Sequence, residues 1–382
     1  MPAQVALPAP TALRNTELAI ARHGEHGRRW LEGMTRGDPL ADAVVEDGAA
    51  LVRRAIAEGV ERIEDAPDSL LALFAALEDR PSWMDGERCD RGAACLARHA
   101  RAYGIALGSA SLIAGAQNTI AGKPLTFTGR YAGNAAVRSI EVGSWLLAVT
   151  MPAGLARHGG GFEHTVRVRM IHAHVRAHLA RRPDWQMERW GVPIPQPYMA
   201  FTLAEFCSIA VRAMARLGVR YSDRELEDIL HLWRCVGHLV GVDDDFLPVT
   251  AEDYGQIEAL YALTSPGSDE GDRRFVAALT EFQAAELARM LPARWAPAVV
   301  HGLQRAFVGD AVADDLAIPD SWCKHLPLVV GPVSALAYGA FDRLVPRGKE
   351  RRTARASRAR VPELERLRDE YGVAHQLVDD EE

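Results

Sequence analysis

Cysteine is scarce and scattered in this chain of 382 residues: Cys89, Cys95, Cys207, Cys235 and Cys323 are odd in number, and no two form a CxxC pair. That excludes a zinc knuckle or a dithiol motif recognisable from spacing, and it predicts free thiols in a reducing compartment. Long uncharged apolar runs are missing too. The longest, "LPLVVGPVSALAYGAF" (326–341), has 16 residues and carries Pro327 and Pro332. It falls short of the roughly 20 residues that cross a bilayer, so no membrane span is expected and the run reads as a buried wall of the core. The first residues lack a basic segment followed by an apolar stretch and a cleavage site, which predicts a cytoplasmic protein. HExxH, GxSxG, GxGxxG and P-loop patterns do not occur, nor does the matched pair of Glu-x-x-His words that a di-iron bundle needs.

What is present is the composition of an ordinary globular protein, 48% hydrophobic and 25% charged, with a net charge of -7. A pI near 6.0 argues against nucleic acid as a global partner. Apolar residues recur with the 3.6-residue period near 13–34, 40–59, 67–79, 91–103, 134–150, 164–182, 202–217, 222–240, 251–264, 271–290, 294–307, 330–344 and 361–370. Alternating strand patterns are missing, so the expected fold is all-α, a single multi-helix domain. Ser222 followed three residues later by Glu225 predicts a capping box before the segment at 222–240. Three regions are expected: an N-terminal helical extension at 1–36, a main helical domain at 37–345, and a charged C-terminal tail at 346–382. The tail holds "RGKERRTARASRAR" (347–360), seven Lys/Arg against one Glu, which reads as a solvated segment or as a contact for an anionic surface.

One helix concentrates the candidate site residues. "TVRVRMIHAHVRAHLARR" (165–182) sets His172, His174 and His178 among arginines. At 100° per residue, Val168, His172, Val175 and Leu179 share one apolar stripe, while His174 lies about 200° away. His174 and His178 are one turn apart, but Arg167 and Arg181 share their face and repel a metal ion, so the pair reads as solvated. His172 has Arg169 three residues before it and Arg176 four after, on a common side. Half-buried arginines need anions. Two readings follow for His172: a core histidine satisfied by the protein, or the ligand for an anionic, mostly apolar group that takes one imidazole. Heme b meets the second description, since its iron accepts a neutral imidazole and its propionates accept bidentate hydrogen bonds from guanidinium groups. His231 and His238 in "HLWRCVGHLVG" are seven apart, two turns, which is too far for joint ligation of one ion, and they read as core histidines.

Six words, "GDPLADAVV" (37–45), "TGRY" (128–131), "AAVRSIEVGSWLLAV" (135–149), "VRVRMIHAHVR" (166–176), "WGVPI" (190–194) and "HLWRCVGHLVGV" (231–242), together resemble the heme-b oxygenases typified by latex clearing protein and the fungal oxygenase MpaB. The resemblance implies a heme b (iron) cofactor sandwiched between core helices, with His172 as the iron ligand and metal site. It places Arg169 and Arg176 in the arginine set around the heme, holding its propionates or the adjoining helix, and maps the arginine of an upstream helix onto Arg138, as a cofactor-binding and catalytic residue. Where the family pattern continues to a threonine, this chain has Val142; where a distal lysine can stand, it has Glu141. Glu141 is read either as a base near bound oxygen or as the i,i+3 partner of Arg138. The implied activity is that of an oxygenase joining O2 to a small hydrophobic substrate, unsaturated or isoprenoid-like, by oxidative C=C cleavage. A non-catalytic heme sensor or carrier, or a heme enzyme of peroxidation or dehydration, is the alternative. With no export signal, an intracellular small molecule is expected in place of a polymer. No feature indicates an oligomeric state.

Overall fold

Helix-forming periodicity is what the chain carries, and helices are what it makes. The computed structural model describes residues 9–127 and 135–373, and every regular element among them is helical. "TGRY" and the acidic end "DDEE" lie outside the described residues. The principal helices are α1 (Thr16–Gly33), α2 (Pro39–Asp47), α3 (Asp68–Glu78), α4 (Gly86–Arg98), α5 (Ala135–Val149), α6 (Gly160–Ala180), α7 (Gln196–Arg216), α8 (Asp223–Leu239), α9 (Ala251–Thr264), α10 (Glu270–Leu287), α11 (Ala296–Val308), α12 (Leu326–Leu344) and α13 (Gly348–Tyr371).

Local chemistry sets where they begin. Ser222 and Glu225 form the capping box at the start of α8, the Glu225 carboxylate accepting the Ser222 N–H at 2.9 Å. α2 opens with Asp38, whose carboxylate accepts the Ala41 N–H, followed by Pro39 in the first turn, where a missing N–H costs nothing. The main core gathers around aromatic rings from three helices. Phe206 of α7 stacks on Trp233 of α8 with ring centroids 5.1 Å apart and planes 13° from parallel. Trp145 of α5 meets Phe206 edge-on, also at 5.1 Å. Trp233 is fully buried. α1 joins the same core through Trp30, whose indole N–H donates to Thr264 Oγ1 at 3.0 Å. Among the described residues α7 is the single helix that is by itself long and apolar enough to cross a membrane, and most of it is buried inside the fold; α12 and α13 reach that measure only when taken together, across a bend of 115°.

Three stretches differ from the sequence expectation. Of residues 104–133, to which periodicity assigned nothing, the described part, 104–127, contains a π-helical turn (Leu107–Ser111) and helices Leu112–Gly115 and Thr119–Phe127. They are rich in Gly, Ala and Ser and largely enclosed, so the polar-against-apolar contrast on which periodicity depends is weak. The segment at 40–59 breaks after α2, where Gly48 ends the helix and Ala49–Leu51 tightens into a 3-10 turn. The third difference is a correction. The run 326–341 is not a buried wall: it forms most of α12, whose Leu328, Val329, Val333 and Leu336 are 62–75% exposed. Its small and ring residues Pro327, Gly331 and Tyr338 face inward instead, one turn or two apart. The basic stretch after it coils into α13. There Arg352 makes two bonds to the Asp342 carboxylate at 2.6 and 2.9 Å, and Arg360 reaches Thr150.

Candidate functional site

α5 and α6 are joined by the short stretch 150–159 and pack side by side, so they run antiparallel. Their register is pinned by the Trp145 indole N–H, which donates to Thr165 Oγ1 at 3.0 Å. Seven residues from Trp145 toward the start of α5 is Arg138. Seven residues from Thr165 toward the end of α6 is His172. Two heptads of equal rise bring Arg138 and His172 to one level, and seven residues are close to two whole turns, so both face the seam as Trp145 and Thr165 do. The Arg138 charge is among those acting on His172.

The His172 imidazole is held neutral. Burial pushes its pKa down to about 4, Arg176 and then Arg138 push the same way, and Asp38 opposes them. Its Nδ1 is fully buried without a hydrogen-bond partner. His174 and His178, as the helical wheel requires, are exposed. So of the three histidines only His172 combines burial, a free lone pair and an unmet ring nitrogen.

The arginines beside it reach across to an adjoining helix. Arg169 is bidentate on the Asp38 carboxylate, Nε at 2.6 Å and Nη2 at 2.9 Å, with both side chains buried. Arg176 binds Asp42 through Nε at 2.8 Å and the Ile194 carbonyl through Nη1 at 3.1 Å. The anions these guanidinium groups need thus come from α2 of this chain, and Arg169 has its fork fully engaged. Of the two partners expected for these arginines, propionates or an adjoining helix, the contacts present are those to the helix α2. Arg176 does keep one fully buried Nη2 without a partner. Room for the clamp comes from glycine. A Cβ on Gly37 would collide with the Arg176 side chain, and one on Gly241, where φ is +91°, would strike Asp38 and Arg169. Gln196, at the head of α7, ties the same two loops by donating to the Gly37 and Gly241 carbonyls, each at 2.9 Å.

Glu141 and Val142 sit on α5 one turn from Arg138 and are half-buried. No ion pair joins Glu141 to Arg138; the carboxylate makes no hydrogen bond or ion pair among the described residues. Sequence reasoning passed over Asp38 and Asp42 as partners, although the word containing them was noted. It also passed over Glu205, on the π-helical turn Glu205–Ile209 of α7. Burial alone pushes the Glu205 carboxyl up to about 8, so it keeps its proton at neutral pH. Gly115 makes space for it, since a Cβ there would overlap Oε1. A surface groove of about 520 Å³ between Glu58, Arg62, Glu78 and Arg157 is elsewhere, and no residue of α5 or α6 lines it.

With this geometry in hand, the chain can be set beside known proteins. Residues 97–337 match the family described as ER-bound oxygenase mpaB/B'/rubber oxygenase, catalytic domain. The rubber oxygenase of Streptomyces sp. (strain K30) is 26% identical over 230 residues, 56% of this chain and 54% of that protein. The match therefore spans about half the length of that relative. A solved structure of latex clearing protein in the closed state superposes with a TM-score of 0.61 at 19% identity, covering 92% of this chain and 95% of the other, which shows a shared fold.

Proposed function

Because the chain belongs to the family of mpaB and rubber oxygenase catalytic domains, we propose that it is a heme-b-dependent oxygenase acting with O2 on a small, hydrophobic, unsaturated or isoprenoid-like molecule, by oxidative cleavage of a C=C bond. The observation that carries this reading is His172. A buried polar atom with no partner costs about 1–3 kcal/mol, and a ligand that meets it is one way to recover that cost. A neutral imidazole with an unmet ring nitrogen, set in a seam between two helices and flanked by cationic side chains, fits the donor that heme iron takes. Bound there, the heme would supply the iron at which O2 is activated.

The remaining roles belong to residues of this chain. His172 anchors the cofactor, and its depressed pKa keeps the lone pair available throughout the physiological range. Arg176 offers its unpartnered Nη2, and Arg138 its positive field, to the anionic edge of the porphyrin. Arg169, committed to Asp38, is a positioning residue that holds α2 against α6 and so fixes the helix on which His172 stands. Glu141, on α5 across from His172, is a carboxylate without a partner among the described residues, able to hold or move a proton near the reacting oxygen. Half-buried Val142, Val168 and Val175 provide apolar wall for a hydrocarbon substrate and exclude water from it.

The test is a single turnover. Reduced, heme-loaded protein is mixed with ¹⁸O₂ and a panel of unsaturated lipids and isoprenoids, and the products are read by mass spectrometry. Label in a cleaved carbonyl product that disappears in His172→Ala and slows in Glu141→Gln is the expected result. A ferrous protein that stays six-coordinate and refuses both O2 and carbon monoxide would contradict the reading, because a closed iron cannot bring oxygen to a substrate.

A further inference from the structure

Away from the seam, α4 and α8 bring three soft donors together in the core. Cys89 comes from α4, while His231 and Cys235 lie four apart on α8, one turn, and share a face. All three residues are buried, and their donor atoms lie within 4.8 Å of one another. Among the described residues no other three His, Cys, Asp or Glu side chains converge in this way. Cys235 Sγ stands 3.6 Å from His231 Nε2. A tetrahedral ion about 2.3 Å from a thiolate sulfur and about 2.0–2.1 Å from an imidazole nitrogen holds those two atoms roughly 3.5 Å apart. The pair is therefore already spaced as one edge of a tetrahedron.

The histidine is oriented for the task. The Asp85 backbone N–H donates to His231 Nε2 at 3.0 Å, so the tautomer that accepts this bond carries its proton on Nδ1, and the Nε2 lone pair now taken by Asp85 is the one a metal ion would use. The Asp85 carbonyl oxygen lies 3.2 Å from the same nitrogen and offers a fourth donor. Trp83 meets the His231 ring edge-on at 6.2 Å, and the Arg234 guanidinium lies over Trp83 at 3.8 Å, so aromatic surface covers the cluster on that side.

We propose that Cys89, His231 and Cys235 form a site for a thiophilic d10 cation, zinc(II), with the Asp85 carbonyl or one water completing the coordination. Two thiolates and an imidazole are a soft donor set that selects zinc over magnesium or calcium. On binding, both thiols release their protons to solvent, and the Asp85 N–H gives up its bond to Nε2. The ion ties α4 to α8, and α8 carries Trp233 at the centre of the core. This site is separate from His172 and does not depend on the heme reading.

The experiment uses the purified full chain under a non-thiol reductant. Zinc is titrated against a chromophoric chelator, and the zinc K-edge X-ray absorption of the one-equivalent complex is recorded. The expected result is one zinc per chain with two sulfur neighbours at about 2.3 Å. Cys89→Ser and Cys235→Ser should each remove one sulfur and weaken binding by more than the roughly 10–100-fold that outer-shell changes cost. Cys207→Ser, at a thiol outside the cluster, should change neither. A zinc shell of oxygen and nitrogen alone, or zinc retained unchanged in the Cys89→Ser/Cys235→Ser double variant, would overturn the proposal. So would a Cys89–Cys235 disulfide in a protein whose reduced form takes up no zinc. The wild-type absorption spectrum decides the matter even where a variant fails to fold.

Discussion

Replacing Arg169 with methionine removes one partner from an ion pair whose side chains are only 7% and 3% exposed. Two charge-assisted hydrogen bonds, at 2.6 and 2.9 Å, vanish, and the Asp38 carboxylate is left in the interior with the Ala41 N–H but no countercharge. Breaking a buried pair from one side costs about 3–5 kcal/mol, mostly the penalty of the stranded charge. Asp38→Asn should cost a similar amount by stranding the guanidinium. The double change Asp38→Asn/Arg169→Met removes both charges, keeps a side chain that caps helices well, and should show a favourable coupling of about 2–3 kcal/mol. The assay is urea unfolding followed by circular dichroism, on heme-free and heme-loaded protein alike. Because the structure assigns Arg169 to Asp38, the loss should be equal in the two forms. Strictly additive single changes, or a loss seen only with heme bound, would refute the assignment and return Arg169 to the cofactor.

Other outcomes follow from the same geometry. Glu205 has a folded pKa raised to about 8, so the unfolded chain loses this proton first as pH rises and the native state is penalised increasingly from about pH 4.5 up to 8. Glu205→Gln should therefore raise stability on the order of 2–3 kcal/mol at pH 7 and hardly at all at pH 4; equal gains at both would show that the carboxyl is not the cause. His172 has the opposite sign: with a folded pKa near 4, its contribution is complete above about pH 6.5 and is lost as pH falls toward 4. Heme-free His172→Gln should accordingly show a shallower acid loss of stability in that window than wild type. Leu336, 75% exposed on α12, should accept serine within about 0.5 kcal/mol, whereas Trp233→Ala should cost about 3–5 kcal/mol. A loss above 2 kcal/mol for Leu336→Ser in thermal unfolding would mean that α12 is covered in solution.

Which parts of this protein could be read from residues alone depends on how local their physics is. The capping box at Ser222 and the facing of His172, His174 and His178 depend on residues within two turns, and the structure shows both arrangements. The stretch at 104–127 escaped because its small residues blur the apolar stripe. α12 misled because a run of apolar residues states only that water is disfavoured, and says nothing of whether another helix is there to exclude it. The partners of Arg169 and Arg176 were invisible for another reason: Asp38 and Asp42 stand more than 130 residues upstream, and periodicity cannot say which anion meets a buried cation. The same distance hid Cys89 from Cys235. His231 and Cys235 stand one turn apart on a single helix, but the third donor arrives only through helix packing.

The central claim is that one histidine of the three holds a heme in the α5–α6 seam. The most direct measurement is the absorption spectrum of the heme-reconstituted protein beside those of His172→Ala, His174→Ala and His178→Ala, each shown to be folded by circular dichroism. A strong Soret band in wild type, kept in His174→Ala and His178→Ala and lost or severely weakened in His172→Ala, is the result this account predicts. A Soret band that survives in His172→Ala, or that is absent from reconstituted wild type, would contradict it.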